Sequence, residues 1–287
     1  MDALTAVLRE TRFESVGYRW LQLDAPFSLD FDQHELRGVH ALTRGSCDLV
    51  VDGTTHELVA GDVVLLPRGD GHVIRSRGSS GCGDARSPDC TILCGAFLVR
   101  ETEHPVLRAL PHVIKIQVAQ APSVGQLVGA LGTEAEDGSP GSEIVMARLS
   151  DALVVQALRH HAQRGADAGW LGGLTDPHIA PVLGAIHHDP ARQWTVGELA
   201  GVARLSRARF SARFTARVGQ PAMQYVTAVR MQRARTMLRD ENATVASVAG
   251  RVGYGSEVAF ASAFKRVTGQ NPGHYRRTRG DHPEASG

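Results

Sequence analysis

Roughly the last hundred residues of this chain carry one pattern twice, and that duplication limits what the region can become. The first copy runs Ala200-Gly201-Val202-Ala203-Arg204-Leu205-Ser206, then Phe210, Phe214 and Gly219-Gln220-Pro221. The second runs Ala249-Gly250-Arg251-Val252-Gly253-Tyr254-Gly255-Ser256, then Phe260, Phe264 and Gly269-Gln270-Asn271-Pro272. The offset is about 50 residues, the period of a repeated supersecondary unit. Each copy reads as a short helix, a tight turn and a second helix opening at Ser206 or Ser256. That is a helix-turn-helix, whose second helix enters the major groove of DNA.

Local signals agree. Thr195-Val196-Gly197-Glu198 is a capping box that opens the first helix of the first unit. Ser206 and Ser256 are suitable N-caps. Phe210 and Phe214 lie four apart on one helix face, as do Phe260 and Phe264, and are read as core anchors. Tyr225 to Leu238 reads as one uninterrupted helix joining the units. If the phenylalanines face inward, rotation assigns the DNA-facing residues. In the first unit these are Arg207, Ala208, Arg209, Ser211 and Ala212. In the second they are Ser256, Glu257, Val258, Ala261, Ser262 and Lys265. Arginine pairs with guanine or phosphate, and alanine touches thymine methyls. Glu257 either accepts from cytosine or repels phosphate and weakens its unit. The first unit is therefore expected to carry more of the base specificity.

Charge follows the same division. Residues 175–287 hold 16 Lys+Arg and 8 Asp+Glu, whereas residues 1–174 hold 15 and 22. A basic C-terminal part is the footprint of phosphate contact. The 287 residues suggest two domains. No apolar run is long enough for a membrane span, and the first residues lack the pattern of a signal peptide, so a cytoplasmic protein is expected. The four cysteines, Cys47, Cys82, Cys90 and Cys94, form no CxxC pair.

The N-terminal half changes character. Residues 36–75 alternate like short strands, with a hairpin signal at Asp52-Gly53. Residues 78–89 read as a polar Gly-rich loop, and Cys90 to Val99 is strand-like again. From Ser123 the pattern is helical, broken at Gly138-Ser139-Pro140-Gly141. Cys47 and Cys94 read as buried strand residues. Cys82 and Cys90 flank the polar segment Gly83 to Asp89, which is expected to bring Cys82 near Cys90 or Cys94 as a redox or electrophile sensor.

The C-terminal region resembles the AraC/XylS family of bacterial transcription regulators. The residues that carry the resemblance are Leu199-Ala200, Ser206, Phe210, Phe214 and Gly219. Arg230-Met231, Ala234 and Leu238 continue it, as do Val252-Gly253-Tyr254, Ser256, Phe260, Phe264, Gly269 and Pro272. Gly250 departs from the family, which usually has a bulkier residue there. The Gly61, Pro67, Gly69 and His72 spacing is similar to the second motif of cupin β-barrels. Leu66 to Gly69 and Leu93-Cys94-Gly95 resemble cupin-type sensor domains fused to such regulators. His72 sits where cupins place a metal ligand, and His40 is the histidine left from the first cupin motif. They read either as ordinary strand histidines or, with a cysteine such as Cys94, as ligands for zinc or another divalent metal.

The resemblance implies an α+β multidomain chain. A cupin-like β-barrel would span 1–120, a helical linker and dimerisation region 121–172, and an all-α double helix-turn-helix domain 176–279. It implies a homodimer bound to double-stranded promoter DNA, working with RNA polymerase as an activator or repressor under a small-molecule or redox effector. Two alternatives stand beside it. One is a cupin-type metal-dependent enzyme with a helical appendage, which the missing metal ligands oppose. The other is a constitutive DNA-binding protein whose barrel is a scaffold.

Overall fold

The computed structural model describes residues 2–10, 13–32, 36–77, 89–99, 110–164, 170–239 and 243–280. These fall into two compact units, one spanning Thr11–Ala166 and the other joining Met1–Glu10 to Asp167–Gly287.

In the first unit nine strands form two antiparallel sheets. They are β1 (Phe13–Leu23), β2 (Ser28–Phe31), β3 (Leu36–Arg44), β4 (Ser46–Val51), β5 (Thr54–Val59), β6 (Asp62–Leu65), β7 (His72–Ser76), β8 (Cys90–Val99) and β9 (Ile114–Gln117). One sheet has the order β1-β8-β3-β6-β9 and the other β2-β7-β4-β5. The architecture is cupin-like, but the expected closed barrel is not formed. Among the described residues no ladder joins the two sheets, and apolar side chains pack in part of the space between them. Alternation decides which side chains those are. Leu42, Leu49, Val51, Leu58, Val64, Leu66, Ile74 and Ile92 point inward together with Cys47, Cys90 and Cys94.

Two helices, α2 (Pro122–Asp137) and α3 (Ser142–Gln163), belong to this same unit. They pack on each other, with α3 against β1 and β9 and α2 against β1. Gly132 of α2 lies against the Trp20 indole, where an added Cβ would stand 3.0 Å from the ring. The stretch expected to be a linker is thus bound to the sheet by its apolar face.

The second unit is helical. It contains α1 (Ala3–Glu10), α4 (Trp170–Thr175), α5 (Ala180–His188), α6 (Val196–Val202), α7 (Arg207–Val218) and α8 (Ala222–Met237). After these come α9 (Val245–Arg251), α10 (Glu257–Thr268) and α11 (Pro272–Gly280). Helix α1 buries Ala3, Ala6 and Val7 and packs against α5. The strand domain expected over 1–120 includes these residues. They join the helical unit because their small apolar face is buried there.

The two helix-turn-helix units are built alike. Thr195 and Glu198 form the expected capping box, and Ser206, Thr244 and Ser256 each cap the helix that follows through a side-chain oxygen. Gly219 and Gly269 end α7 and α10 in the left-handed conformation. Phe210, Phe214, Phe260 and Phe264 are fully buried. Each pair extends to a tyrosine eleven residues after its second phenylalanine: Phe214 meets Tyr225 at 5.8 Å and Phe264 meets Tyr275 at 5.4 Å between ring centroids.

The two turns use one hydrogen-bond pattern with different residues. Arg204 N–H donates to Gly201 O and Leu205 N–H to Ala200 O, as Gly253 N–H does to Gly250 O and Tyr254 N–H to Ala249 O. Both pivots are left-handed, with φ 54° at Arg204 and 84° at Gly253. Only the second must be glycine for reasons of space, because a Cβ there would lie 2.2 Å from the Ala191 carbonyl oxygen. Denaturant unfolding should therefore separate the two sites. Arg204→Gly should be neutral or stabilising by up to about 1 kcal/mol, since relief of left-handed strain exceeds the added chain entropy. Gly253→Ala should destabilise by about 1 kcal/mol or more through strain and the carbonyl clash. A Gly253→Ala chain as stable as the parent would contradict this account of the turn.

Candidate nucleic-acid interface and cupin cavity

Helices α7 and α10 are amphipathic, and their buried faces fix which residues remain outside. Arg207, Ala208, Arg209, Ser211 and Ala212 on α7 are exposed, as are Ser256, Glu257, Val258, Ser262 and Lys265 at or along α10, while Ala261 is half-buried. Val258 is 77% exposed, which places an unburied branched apolar side chain beside Glu257. The two arginines of the first face differ. The Arg207 guanidinium packs over Gly197 of α6, about 3 Å from where a Cβ on that glycine would stand. Nothing in the structure shows such a tie for Arg209. Two further arginines of α7, each partly exposed, pair with one buried carboxylate. Arg213 Nε donates to both oxygens of Asp176, at 3.0 and 2.9 Å, and Arg217 Nε lies 3.2 Å from the same carboxylate. Asp176 also accepts from the amides of His178 and Ile179 ahead of α5. Burial pushes the Asp176 carboxyl up, but Arg213 and these amides outweigh it and hold it below the usual carboxylate range.

The two DNA-reading units are clasped by Arg230 of α8. Its Nε donates to Pro190 O at 2.7 Å, and its Nη2 donates to Ala191 O at 3.3 Å and Arg192 O at 2.8 Å. The same guanidinium lies 5.6 Å from the Tyr254 ring centroid, in the turn of the second unit. Gln193 Nε2 donates to Gly253 O at 2.6 Å and joins the same loop to that turn. Trp194 Nε1 anchors the loop on Asp189 O, and Arg192 covers the indole at 4.4 Å. Arg230, Arg233 and Arg235 are spread around the helix by its periodicity. In the structure Arg230 and Arg235 are buried and Arg233 is exposed.

In the other unit the inward faces of both sheets line a cavity of about 630 Å³. Register places its polar groups. Arg19 of β1 lies opposite Cys94 of β8, and Cys94 lies opposite His40 of β3. Directly opposed residues share a face, so the three form a row. Arg19 is exposed, whereas Cys94 and His40 are buried. From the second sheet His72 stands opposite Phe31, with the rings stacked at 4.7 Å and 9°. His72 Nε2 approaches His40 Nε2 to 2.8 Å, and its Nδ1 lies 3.0 Å from the Asp70 carbonyl oxygen. Gly38 lies beneath both rings, where a Cβ would stand 2.9 Å from His40 Nε2.

Burial disfavours the charged form of both imidazoles. Burial depresses His40 well below the usual range, with His72 adding to it, and burial depresses His72 against the opposing pull of the Asp70 carbonyl and Asp30. Burial pushes the Cys94 thiol up to about 12. Cys90 is buried too, in side-chain hydrogen-bond contact with Cys47, which lowers Cys90 and raises Cys47. Cys90 opens β8, as its strand-like run predicts, but it faces the core rather than the neighbouring loop. Cys82 and residues 78–88 lie outside the described residues.

A cluster that the sequence did not suggest is Asp52, Asp70 and His112, whose ligand atoms lie within 4.8 Å of one another. His112 Nδ1 is 3.0 Å from Asp70, and Arg68 Nη1 meets His112 Nε2 at 3.0 Å, so a cation already occupies one side. No helix among the described residues is long and apolar enough to cross a membrane.

The fold and these two sites define a DNA-binding protein with two helix-turn-helix units attached to a cupin domain. Residues 2–163 match the cupin family model and residues 199–278 a helix-turn-helix domain model. A putative AraC-like transcription regulator of Streptomyces lividans is 37% identical over 303 residues, covering 96% of this chain and 97% of its own length. One from Streptomyces antibioticus is 34% identical over 299 residues, covering 96% and 99%. The crystal structure of the DNA-binding domain of AdpA in complex with a target DNA is similar to 39% of this chain and 100% of that one, at 33% identity and a TM-score of 0.36. The chain belongs to the AraC-like transcription regulators with a cupin domain, and it is a regulator rather than an enzyme.

Arg230→Gln should lower the stability of the helical unit by about 2 kcal/mol or more, because the hydrogen bonds lost are to a charged donor. It should also loosen the two helix-turn-helix units from each other. Denaturant unfolding followed separately at Trp194 and at a label on α10 should then give two midpoints. Coincident and unshifted transitions would remove Arg230 from this role.

Proposed function

We propose that the chain binds double-stranded promoter DNA as a homodimer, with α7 and α10 of each copy in successive stretches of major groove. The observation that carries this reading is the pair of exposed recognition faces on two helices held in fixed register through Arg230. The basic charge of residues 175–287 supplies phosphate attraction. RNA polymerase is the partner through which occupancy acts, in the cytoplasm. A small solute entering the cupin cavity is the signal. The chain supplies a covalent route for that signal, because α1 packs in the DNA-binding unit and only two residues separate it from β1, whose Gly17 and Arg19 line the cavity.

Binding of the full chain to a duplex from its own upstream region should weaken by orders of magnitude between low and physiological salt. Salt-independent binding would count against the phosphate footprint. Arg209→Ala should cost about 1–3 kcal/mol and relax specificity at one base position. Arg207→Ala should cost less, since that guanidinium is already packed on Gly197. Selection of bound sequences by each variant tests the order, and the reverse order would reassign the base contact to Arg207.

A further inference from the structure

Helix α10 presents to solvent a side chain that its own packing does not explain. Val258 is 77% exposed, more than any other large apolar side chain among the described residues. It occupies the second position of the helix, where valine costs helix stability relative to alanine and gains no core contact in return. The duplication gives that position a meaning. With Phe260 aligned on Phe210, Val258 corresponds to Ala208 and Glu257 to Arg207. Each reading helix therefore offers an apolar side chain at its second position, and the charge before it changes sign between the units.

The local structure makes Val258 a rigid probe. Ser256 Oγ accepts from the Ala259 amide at 3.2 Å and fixes the first turn. A β-branched side chain in a helix keeps essentially one rotamer, so little freedom is lost when it meets a partner. The residues one turn further on, Ala261 and Ser262, are small and leave its methyl groups open to close approach. Glu257 stands beside it in the first turn, where the amide dipoles favour a carboxylate. Among the described residues no ion pair or hydrogen bond engages that carboxylate. In the major groove the apolar edge group is the thymine methyl, and the group that donates to a carboxylate is the cytosine amine. A carboxylate also repels the two acceptors of guanine, which rejects the wrong base at the same position.

We propose that α10 reads a thymine through its 5-methyl group, packed on Val258, and a cytosine on a neighbouring base pair, whose N4 amine donates to Glu257. The second unit then selects bases by apolar contact and a carboxylate acceptor, while the first supplies cations. The proposal rests on the reading of α7 and α10 as major-groove helices.

In the test, the full chain first selects a duplex from a randomised pool. Each thymine of that duplex is then replaced singly by deoxyuridine, which lacks only the 5-methyl group. At one position the replacement should weaken binding about three- to fourfold, the worth of one buried methyl group. In Val258→Ala that position should lose its sensitivity to the methyl group. Sensitivity at any other thymine and the salt dependence should stay as in the parent, since phosphate contacts are untouched. Glu257→Gln should change the preferred base at a neighbouring pair from cytosine to adenine, because an amide pairs with adenine N6 and N7. Both substitutions fall at exposed positions, and helix content by circular dichroism should not change. Val258→Ala with every methyl effect intact, or Glu257→Gln with the cytosine preference intact, overturns the proposal. A pool from which no duplex is enriched removes the major-groove reading and this proposal with it. An enriched duplex without a methyl-sensitive thymine faults this assignment alone.

Discussion

One guanidinium holds the DNA-binding unit in its working geometry. Arg230 donates to three successive carbonyls, Pro190 to Arg192, and its flat face lies against Tyr254 of the second turn. Those carbonyls belong to the loop that ends α5 and opens the first unit, so a single side chain joins the linking helix, the first unit and the second. An ammonium could not reproduce this, because the fork of the guanidinium spans acceptors that a point donor reaches one at a time. The close seat of Gly253 on Ala191 follows from the same arrangement. A protein that reads two stretches of DNA needs a fixed spacing between its reading helices, and here that spacing depends on hydrogen bonds rather than on apolar area alone.

Charged side chains in both units are tied to partners in the interior. In the helical unit, arginines that could face DNA are partly withdrawn. Arg213 and Arg217 hold Asp176, and Arg207 rests on Gly197. That leaves Arg209 the freer cation on the first reading face. In the cupin unit the buried Arg37 donates to the Pro67 carbonyl and the buried Asp62 pairs with Lys115. Burial disfavours the charged forms of His40, His72 and Cys94.

Much of the helical unit was legible because its signals are local. The phenylalanine spacing, the Thr195–Glu198 capping box, the serine caps and the terminal glycines each act within one helical turn. The tyrosines that complete both aromatic clusters were legible too. Tyr225 and Tyr275 repeat with the phenylalanines at the same offset. Arg230 was not legible, because nothing nearby in sequence distinguishes a buried arginine from a solvated one. Its acceptors lie about 40 residues away. The strand opening at Cys90 was legible, but its burial was not: flanking polarity points to the loop, while antiparallel pairing with β1 draws it into the core.

The sequence by itself determined the class of this protein, because a repeated helix-turn-helix is specified by residues a few positions apart and tolerates little else. It also determined that His40, His72 and Cys94 fall on strands. Only the tertiary structure decided that the two histidines meet and that Cys94 lines the same cavity. His40 and His72 are 32 residues apart and come from different sheets, and their approach depends on how strands alternate and how two sheets face each other. The pairing of α1 with the DNA-binding helices is likewise tertiary, since a short apolar face can be buried wherever a complementary one is presented. Local periodicity selects the elements, and the register of distant strands and helices selects which side chains share a site.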